Sequence, residues 1–214
     1  MDILNFISWI KGGRYTTTPP ANSVTVIGAP SSNRDDKYLP ITVPLSALQT
    51  NIGKLLGGGI VVAEWDENGV KKALVASLTN LSTSLPWTIP AFQSTLIGPT
   101  AQNYNGLTNT NAIIAQTLLP ADTTYAAGIA RLYLGGGFND WYLPSLLELN
   151  MCYNSAVIVN RVLGSTNGFA NGTYWSSTET NSTSARRILF SDSAVLSSSK
   201  PGTSNVRAVR IHNL

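Results

Sequence analysis

The stretch Asn139–Ser145, with the sequence NDWYLPS, places two large aromatic residues and a leucine directly before a proline and a helix-start signal. Ser145 is followed three residues later by Glu148, which is the spacing of a capping box, where each side chain accepts a hydrogen bond from the other residue's backbone N–H. A helix is therefore predicted over Leu146–Tyr153. Cys152 falls within it, and a small buried hydrophobic side chain is the ordinary role of such a cysteine.

Two further helical patterns precede this stretch, over Asn109–Leu119 and Asp122–Leu134, and Asp122 is the candidate N-cap of the second. Upstream of them, Leu81–Gly106 is predicted to be a loop anchored by Trp87. The middle of the chain is thus expected to be helical, after a long connection.

Strand patterns stand on both sides of this helical region. Ile60–Trp65 and Val70–Leu78 are rich in β-branched and apolar residues and flank Asn68-Gly69, a strong signal for a hairpin turn. The last third, Thr173–His212, is predicted to form short strands separated by Ser, Asn, Asp and Gly turns. Because helices and strands come in blocks, the α+β class is favoured.

The segment before Gly57 differs from the rest of the chain. Apolar side chains at helical spacing predict a short N-terminal helix that needs a partner, since such a short helix is marginal alone. A Thr- and Pro-rich extended segment follows over Tyr15–Pro44, and Leu45–Leu56 is predicted as a short helix or a linker. We therefore predict a docking arm over residues 1–56 and a folded domain over residues 57–214. The side chains assigned to docking are Ile3, Leu4, Phe6, Ile7, Trp9, Arg34, Asp35 and Asp36.

The composition argues against several classes of function. Charged residues make up only 12% of the chain and the formal net charge is +3, with no basic stripe of the kind that binds nucleic acid. One cysteine and one histidine, Cys152 and His212, exclude an intrachain disulfide, a cysteine-based zinc site and any site that needs two histidines. No apolar stretch is long enough for membrane insertion, and the N-terminus lacks the features of a signal peptide. No cofactor is expected.

Two glycine triplets, Gly57–Gly59 and Gly135–Gly137, invite comparison with phosphate-binding loops. A P-loop needs Gly-Lys-Ser/Thr at the start of a helix, and a dinucleotide loop needs spaced glycines between a strand and a helix. Neither triplet has these features, so both are predicted to form tight turns.

Four motifs, in order along the chain, carry a resemblance to a known family. They are Gly57–Val62 with the hairpin and Ala73–Ala76 that follow it, NDWYLPS at Asn139–Ser145, YWSSTE at Tyr174–Glu179 and VRAVR at Val206–Arg210. Residues 57–214 resemble the family exemplified by the C-terminal domain of the Legionella collagen-like adhesin, which also occurs in Fibrobacter proteins and phage structural proteins. The resemblance implies a C-type-lectin-like fold and, as in the adhesin, attachment to sulfated glycans. It does not imply catalysis.

The motif residues have two competing interpretations. Trp141 and Trp175 could serve as sugar-stacking platforms, but large aromatic side chains contribute most by burial, so packing is favoured. Glu179 is expected to pair with Arg207 or Arg210, because charges are rarely buried alone. The fold-defining set is Trp141, Leu143, Pro144, Trp175, Glu179, Arg207 and Arg210. The candidate ligand-binding residues are Asn139, Tyr174, Arg186 and Arg187.

Calcium-dependent sugar binding and catalysis are both disfavoured. The Glu-Pro-Asn, Gln-Pro-Asp and Trp-Asn-Asp motifs of calcium-binding lectins are absent, and no acidic cluster supplies the oxygen ligands that calcium takes. Cys152 would need His212 as its base and a third group to orient that base. The chain is predicted not to be an enzyme.

The preferred hypothesis is a phage virion structural protein, a short fibre, tail-tip or adaptor component assembled in the host cytoplasm. Asp2–Tyr15 and residues 34–40 are similar to N-terminal segments of certain tailed-phage virion proteins, so residues 1–56 would bind other virion proteins. The folded domain would face outward for host attachment, with host-surface glycans as candidate ligands, and fibre architecture favours a homotrimer. The alternatives are a capsid decoration protein without a specific receptor and a bacterial surface adhesin.

Overall fold

The computed structural model describes residues 23–27, 40–44, 50–98 and 104–214. Contacts divide the chain into two compact units, Met1–Thr50 and Asn51–Leu214, whereas the predicted boundary lies between residues 56 and 57. In the first unit, β1 (Ser23–Ile27) and β2 (Pro40–Pro44) pair antiparallel. The predicted docking residues lie outside the described residues: Ile3, Leu4, Phe6, Ile7, Trp9, Arg34, Asp35 and Asp36.

The second unit contains two β-sheets. Its strands are β3 (Leu55–Leu56), β4 (Gly59–Glu67), β5 (Val70–Ala76), β6 (Ser82–Leu85), β7 (Thr173–Asn181), β8 (Ser184–Leu189), β9 (Val195–Ser199), β10 (Ser204–Val206) and β11 (Val209–Asn213). One sheet is antiparallel and has the order β11-β5-β4-β3. The other has the order β6-β10-β7-β8-β9, with β10 and β7 parallel.

Along the chain, the helices lie between β6 and β7. They are α1 (Gly106–Thr117), α2 (Ala126–Leu132) and α3 (Leu146–Asn167), with short 3₁₀ turns at Pro90–Phe92 and Gly135–Gly137. This segregation of helices and strands confirms the predicted α+β class.

The β4–β5 hairpin forms as predicted. Asn68 and Gly69 have φ angles of +54° and +80°, and Glu67 pairs with Val70 across the turn. Two successive left-handed residues are what a two-residue type I′ turn requires, and Asn-Gly adopts them at little cost. The Asp66 side chain also accepts a hydrogen bond from the Gly69 N–H at 2.8 Å.

The starts of α1 and α2 differ from the prediction. Asn105 caps α1 by accepting a hydrogen bond from the Thr108 N–H at 2.9 Å, so α1 begins three residues before the predicted start. Asp122 does not cap α2, whose N-cap is Tyr125. The Asp122 carboxylate instead accepts hydrogen bonds from the backbone N–H and the hydroxyl of Thr124, an aspartate turn that precedes the helix.

The capping box of α3 is confirmed, but the helix is much longer than predicted. The Ser145 hydroxyl accepts from the Glu148 N–H, and the Glu148 carboxylate accepts from the Ser145 N–H. The helix continues to Asn167, interrupted at Gly164, where φ is +76°. Its second half is rich in β-branched residues, which have weak helix propensity, so the packing of Val159 in the core is what keeps it helical.

Two hydrophobic cores form because successive strand residues face opposite sides of a sheet. In β4, Ile60 and Val62 contact the core beneath α3, which we call the α3-side core. Val61 contacts the other core, which also contains Ile113 of α1 and Ala127 of α2. The domain is therefore layered, with sheets between α3 and the α1–α2 pair.

Candidate functional site

The long connector, residues 77–145, links β5 to α3 and contains β6, α1 and α2. A buried ion pair holds it to the strands. Lys200 Nζ lies 2.5 Å from Glu179 Oε1, and the two side chains are 0% and 1% exposed. Lys200 also donates to the Thr95 carbonyl at 2.7 Å, and the Ile97 N–H donates to both Glu179 oxygens at 3.0 and 3.1 Å. Thr95 and Ile97 of the connector are thus hydrogen-bonded to two buried charged side chains.

The prediction that Glu179 pairs with Arg207 or Arg210 is wrong. Its partner, Lys200, directly follows β9 and precedes a proline, a context typical of an exposed turn. Trp87 contributes to the burial of Lys200, whose Nζ lies 5.0 Å from the centre of the Trp87 ring system. No local pattern distinguishes this lysine from a solvated one.

Glu148 of α3 forms a second set of hydrogen bonds to the connector. Its Oε1 accepts a hydrogen bond from the Tyr142 hydroxyl at 2.7 Å. Its Oε2 accepts from the backbone N–H of Ser145 at 2.7 Å and of Gly106 at 3.1 Å. Gly106 is the first residue of α1, so one carboxylate satisfies donors at the starts of two helices. Burial, together with this carboxylate, raises the pKa of Tyr142 well above its ordinary value.

Arg210 joins three separate segments. Its Nε and Nη2 donate to the two carboxylate oxygens of Asp140 at 2.6 and 2.8 Å, and its Nη1 donates to the Gly57 carbonyl at 3.1 Å. Its guanidinium lies 3.8 Å from the centre of the Phe138 ring. These hydrogen bonds lower the pKa of Asp140. Arg210 therefore links the VRAVR, NDWYLPS and first glycine motifs.

The two glycine triplets contact each other. Gly58 and Gly136 have φ angles of +80° and +66°, which confirms the predicted turns. A Cβ atom on Gly58 would lie 2.5 Å from the Gly135 carbonyl oxygen, and one on Gly136 would meet Gly58 Cα. Glycine is required here because two backbones approach too closely for any side chain.

The tryptophans of the motifs are parts of the core. Trp87, Trp141 and Trp175 are fully buried. Their indole N–H groups donate to the carbonyls of Ser176, Gly135 and Leu85 at 2.8, 3.1 and 2.9 Å. A ring with no exposed face cannot stack on a sugar. The hydrogen bonds of Trp87 and Trp175 instead join the connector to β7, whereas that of Trp141 stays within the connector.

The other fold-defining residues are also buried. Leu143 exchanges hydrogen bonds with the Thr110 hydroxyl of α1, and the Pro144 carbonyl accepts from the Ser177 N–H of β7 at 2.7 Å. Arg207 donates to Asn80 Oδ1 at 3.1 Å and to the Asn167 carbonyl at 2.9 Å. Burial lowers the pKa of Arg207 to about 10.

The four candidate ligand-binding residues do not form one site. Tyr174 is fully buried, with its hydroxyl bonded to the Ala170 N–H and to Asn80, so its assignment to a ligand is corrected. Asn139 is exposed in the connector. Arg186 and Arg187 are successive residues of β8 and therefore point to opposite faces of the sheet.

Cys152 and His212 lie in different surroundings. Cys152 is fully buried in the α3-side core, and desolvation raises the pKa of its thiol from 9.0 to about 12. His212 is on β11, with Nδ1 3.4 Å from Arg210 Nη1. Among the described residues, no group of three or more His, Cys, Asp or Glu side chains is placed to hold a metal ion.

The burial of Cys152 predicts sensitivity to alkali. The pKa of the Cys152 thiol is about 12 in the folded chain and near 9 in the unfolded chain. The folded state therefore keeps its full free energy of unfolding below pH 9 and loses part of it as the pH rises toward 12. Between pH 8 and 10, we expect wild type to lose about 1.4 kcal/mol more unfolding free energy than Cys152→Ala. Urea unfolding at both pH values measures this difference. Equal losses in the two proteins would contradict it.

The connector also carries an uncharged surface. Residues 73–121 contain no Asp, Glu, Lys, Arg or His. Large apolar side chains are nevertheless exposed there: Leu96 is 60%, Tyr104 68% and Leu118 90% exposed. Leu118 ends α1 with a φ of +53°, a left-handed conformation that costs leucine about 1–2 kcal/mol. A strained and exposed leucine contributes little to the stability of this chain. The uncharged run is visible in the sequence, but no local pattern predicts that these apolar side chains are exposed.

Comparison with solved structures gave a distant structural likeness. The chain is similar to a fimbrial protein from Bacteroides ovatus ATCC 8483 in its crystal structure, with a TM-score of 0.41 and 20% sequence identity. The match covers 65% of this chain and 35% of the fimbrial protein. No family model and no curated protein matches the chain. Within the described ranges, no helix is both long and apolar enough to cross a membrane.

Proposed function

We propose that this chain is a non-enzymatic structural protein of a biological surface. Its folded domain attaches to another surface through the exposed side chains of the long connector. The observation that carries the proposal is the uncharged, partly apolar surface of the connector between residues 77 and 121, whose described part is bonded to buried groups. Its exposed residues Leu96, Tyr104 and Leu118 are large and apolar. Exposed apolar residues on a charge-free segment are suited to contact with another surface.

The role of Leu118 supports an interaction rather than a packing function. Asparagine adopts the left-handed conformation more readily than leucine, so Leu118→Asn is expected to leave the free energy of unfolding unchanged or slightly higher. The same change removes the most exposed apolar side chain of the connector. Leu118→Asn is thus expected to weaken attachment without lowering the free energy of unfolding.

Attachment is tested with the labelled full-length chain and a panel of whole bacterial cells in flow cytometry. We expect binding to at least one cell type and a loss of at least about tenfold in affinity for Leu118→Asn, equivalent to about 1.4 kcal/mol. Leu55→Asn is the matched control, because Leu55 is also largely exposed but lies in β3, outside the connector. Absence of binding to every cell type, or equal binding by both variants, would overturn the proposal.

Two settings are proposed for this role. A bacterial cell surface corresponds to the role of an adhesin for the folded domain. A phage virion rests on the resemblance of Asp2–Tyr15 and residues 34–40 to virion proteins, and would use residues 1–56 for docking. Detection of the chain in purified particles or in the cell envelope distinguishes the settings.

A further inference from the structure

A cleft of about 410 Å³ lies between α3, the loop that follows it and the turn after β8. Its volume is within the range of small-molecule sites. Three aromatic rings line it: those of Tyr153 and Phe190 are perpendicular, with centres 5.4 Å apart, and that of Phe169 lies 5.0 Å from Phe190. Both phenylalanines are buried and Tyr153 is partly exposed. The deep part of the cleft is therefore apolar, and Tyr153 is its accessible ring.

Three asparagines supply polar groups to the same cleft. Asn160 accepts from the Phe169 N–H at 2.6 Å and donates to the Phe169 carbonyl at 2.9 Å, which leaves it one amide N–H. Asn154 donates to Asn150 at 3.0 Å and keeps its own oxygen open. Asn171 is exposed and makes no side-chain hydrogen bond within the described part of the chain. The cleft thus combines apolar rings with uncharged donors and acceptors.

The backbone around the cleft is fixed by hydrogen bonds. The Gly168 N–H donates to the Gly164 carbonyl at 2.8 Å, and the Phe190 N–H donates to the Gly172 carbonyl at 3.0 Å. The buried Arg207 guanidinium lies 4.6 Å from the centre of the Phe169 ring and supports it from the core. A preformed cleft binds its ligand with little ordering cost.

The lining determines the class of ligand. It contains no aspartate, glutamate, lysine, arginine or histidine, so a charged ligand would lose hydration without gaining a counter-ion. A sugar ring presents an apolar face to an aromatic side chain and hydroxyl groups to amides. We propose that this cleft binds a neutral saccharide unit, at a site separate from the connector surface.

The test measures binding of the full-length chain to an array of neutral and sulfated oligosaccharides, followed by titration of the neutral hits in ligand-observed NMR. Tyr153→Ala and Asn171→Ala are expected to weaken neutral oligosaccharide binding by at least about tenfold. Asn171 is exposed, so its substitution keeps the test valid if Tyr153→Ala is unstable. Leu55→Ala is the control, because Leu55 is exposed in β3, outside both the cleft and the connector, and its loss should leave saccharide binding unchanged.

Three results would overturn the inference: no binding of any neutral oligosaccharide, preference for sulfated ones, or equal binding by wild type and both cleft variants. The cell-binding assay with Leu118→Asn is a separate measurement. Failure of saccharide binding with retained cell attachment would reject the cleft alone, and the reverse would reject the connector surface alone.

Discussion

Replacement of Lys200 by methionine is expected to lower the free energy of unfolding by about 3–5 kcal/mol. The substitution leaves the Glu179 carboxylate in the core without its cation, although the Ile97 N–H still donates to it. It also removes the hydrogen bond to the Thr95 carbonyl. A buried carboxylate that has lost its counter-ion costs far more than the intact pair contributes. Equilibrium unfolding in urea measures the loss.

The exposed ion pair between Lys72 and Glu67 is the matched control. Their side chains are 26% and 51% exposed, so Lys72→Met should cost about 1 kcal/mol or less. The double variant Glu179→Gln with Lys200→Met removes both buried charges and keeps an acceptor for Ile97. It should be more stable than Lys200→Met alone. A Lys200→Met cost as small as that of Lys72→Met would contradict the buried-pair account.

Gly58→Ala is expected to have an effect of similar size, about 2–5 kcal/mol. A left-handed φ of +80° costs a residue with a Cβ about 1–2 kcal/mol, and the 2.5 Å approach to the Gly135 carbonyl adds an overpacking cost of about 1–3 kcal/mol. The obstructing atom belongs to the backbone, which cannot rotate away. Thermal and urea unfolding both measure the loss.

Gly137→Ala separates the two contributions. Gly137 has nearly the same φ, +79°, but no atom lies within 4 Å of the position that a Cβ would occupy. This variant should cost only the conformational part, about 1–2 kcal/mol. Equal costs for Gly58→Ala and Gly137→Ala would mean that contact between the glycine triplets contributes nothing.

Features controlled by neighbouring residues could be predicted from the sequence. The Asn68-Gly69 hairpin and the Ser145–Glu148 capping box both form, because their geometry is decided within four residues. Burial of Trp87 in the connector and the series of strands after Thr173 were also predicted correctly. The α+β class follows from the order of these local signals.

Features that depend on distant residues could not be predicted. Glu179 and Lys200 are 21 positions apart, and Arg210 meets Asp140 from 70 positions away. The packing of the connector decides which basic residue pairs with each carboxylate, and no local sequence pattern encodes that packing. The length of α3 was underestimated for the same reason, since contact of Val159 with the core cannot be read from the local sequence.

The cleft beside α3 could not be predicted from the sequence. Tyr153, Phe169 and Phe190 come from a helix, a loop and a turn, and no spacing in the sequence relates them. Tyr174, by contrast, was assigned to ligand binding on the strength of its motif, but alternation along β7 directs it into the core.

The central claim is that buried motif residues hold the connector rigidly to the strands, and the amide hydrogen of Ile97 tests it most directly. Ile97 lies outside any helix or strand, and its N–H is bonded to the Glu179 carboxylate. Hydrogen exchange followed by NMR should show this amide protected by at least about a thousandfold, as in core strands. Exchange at the rate of a free loop amide would contradict the account.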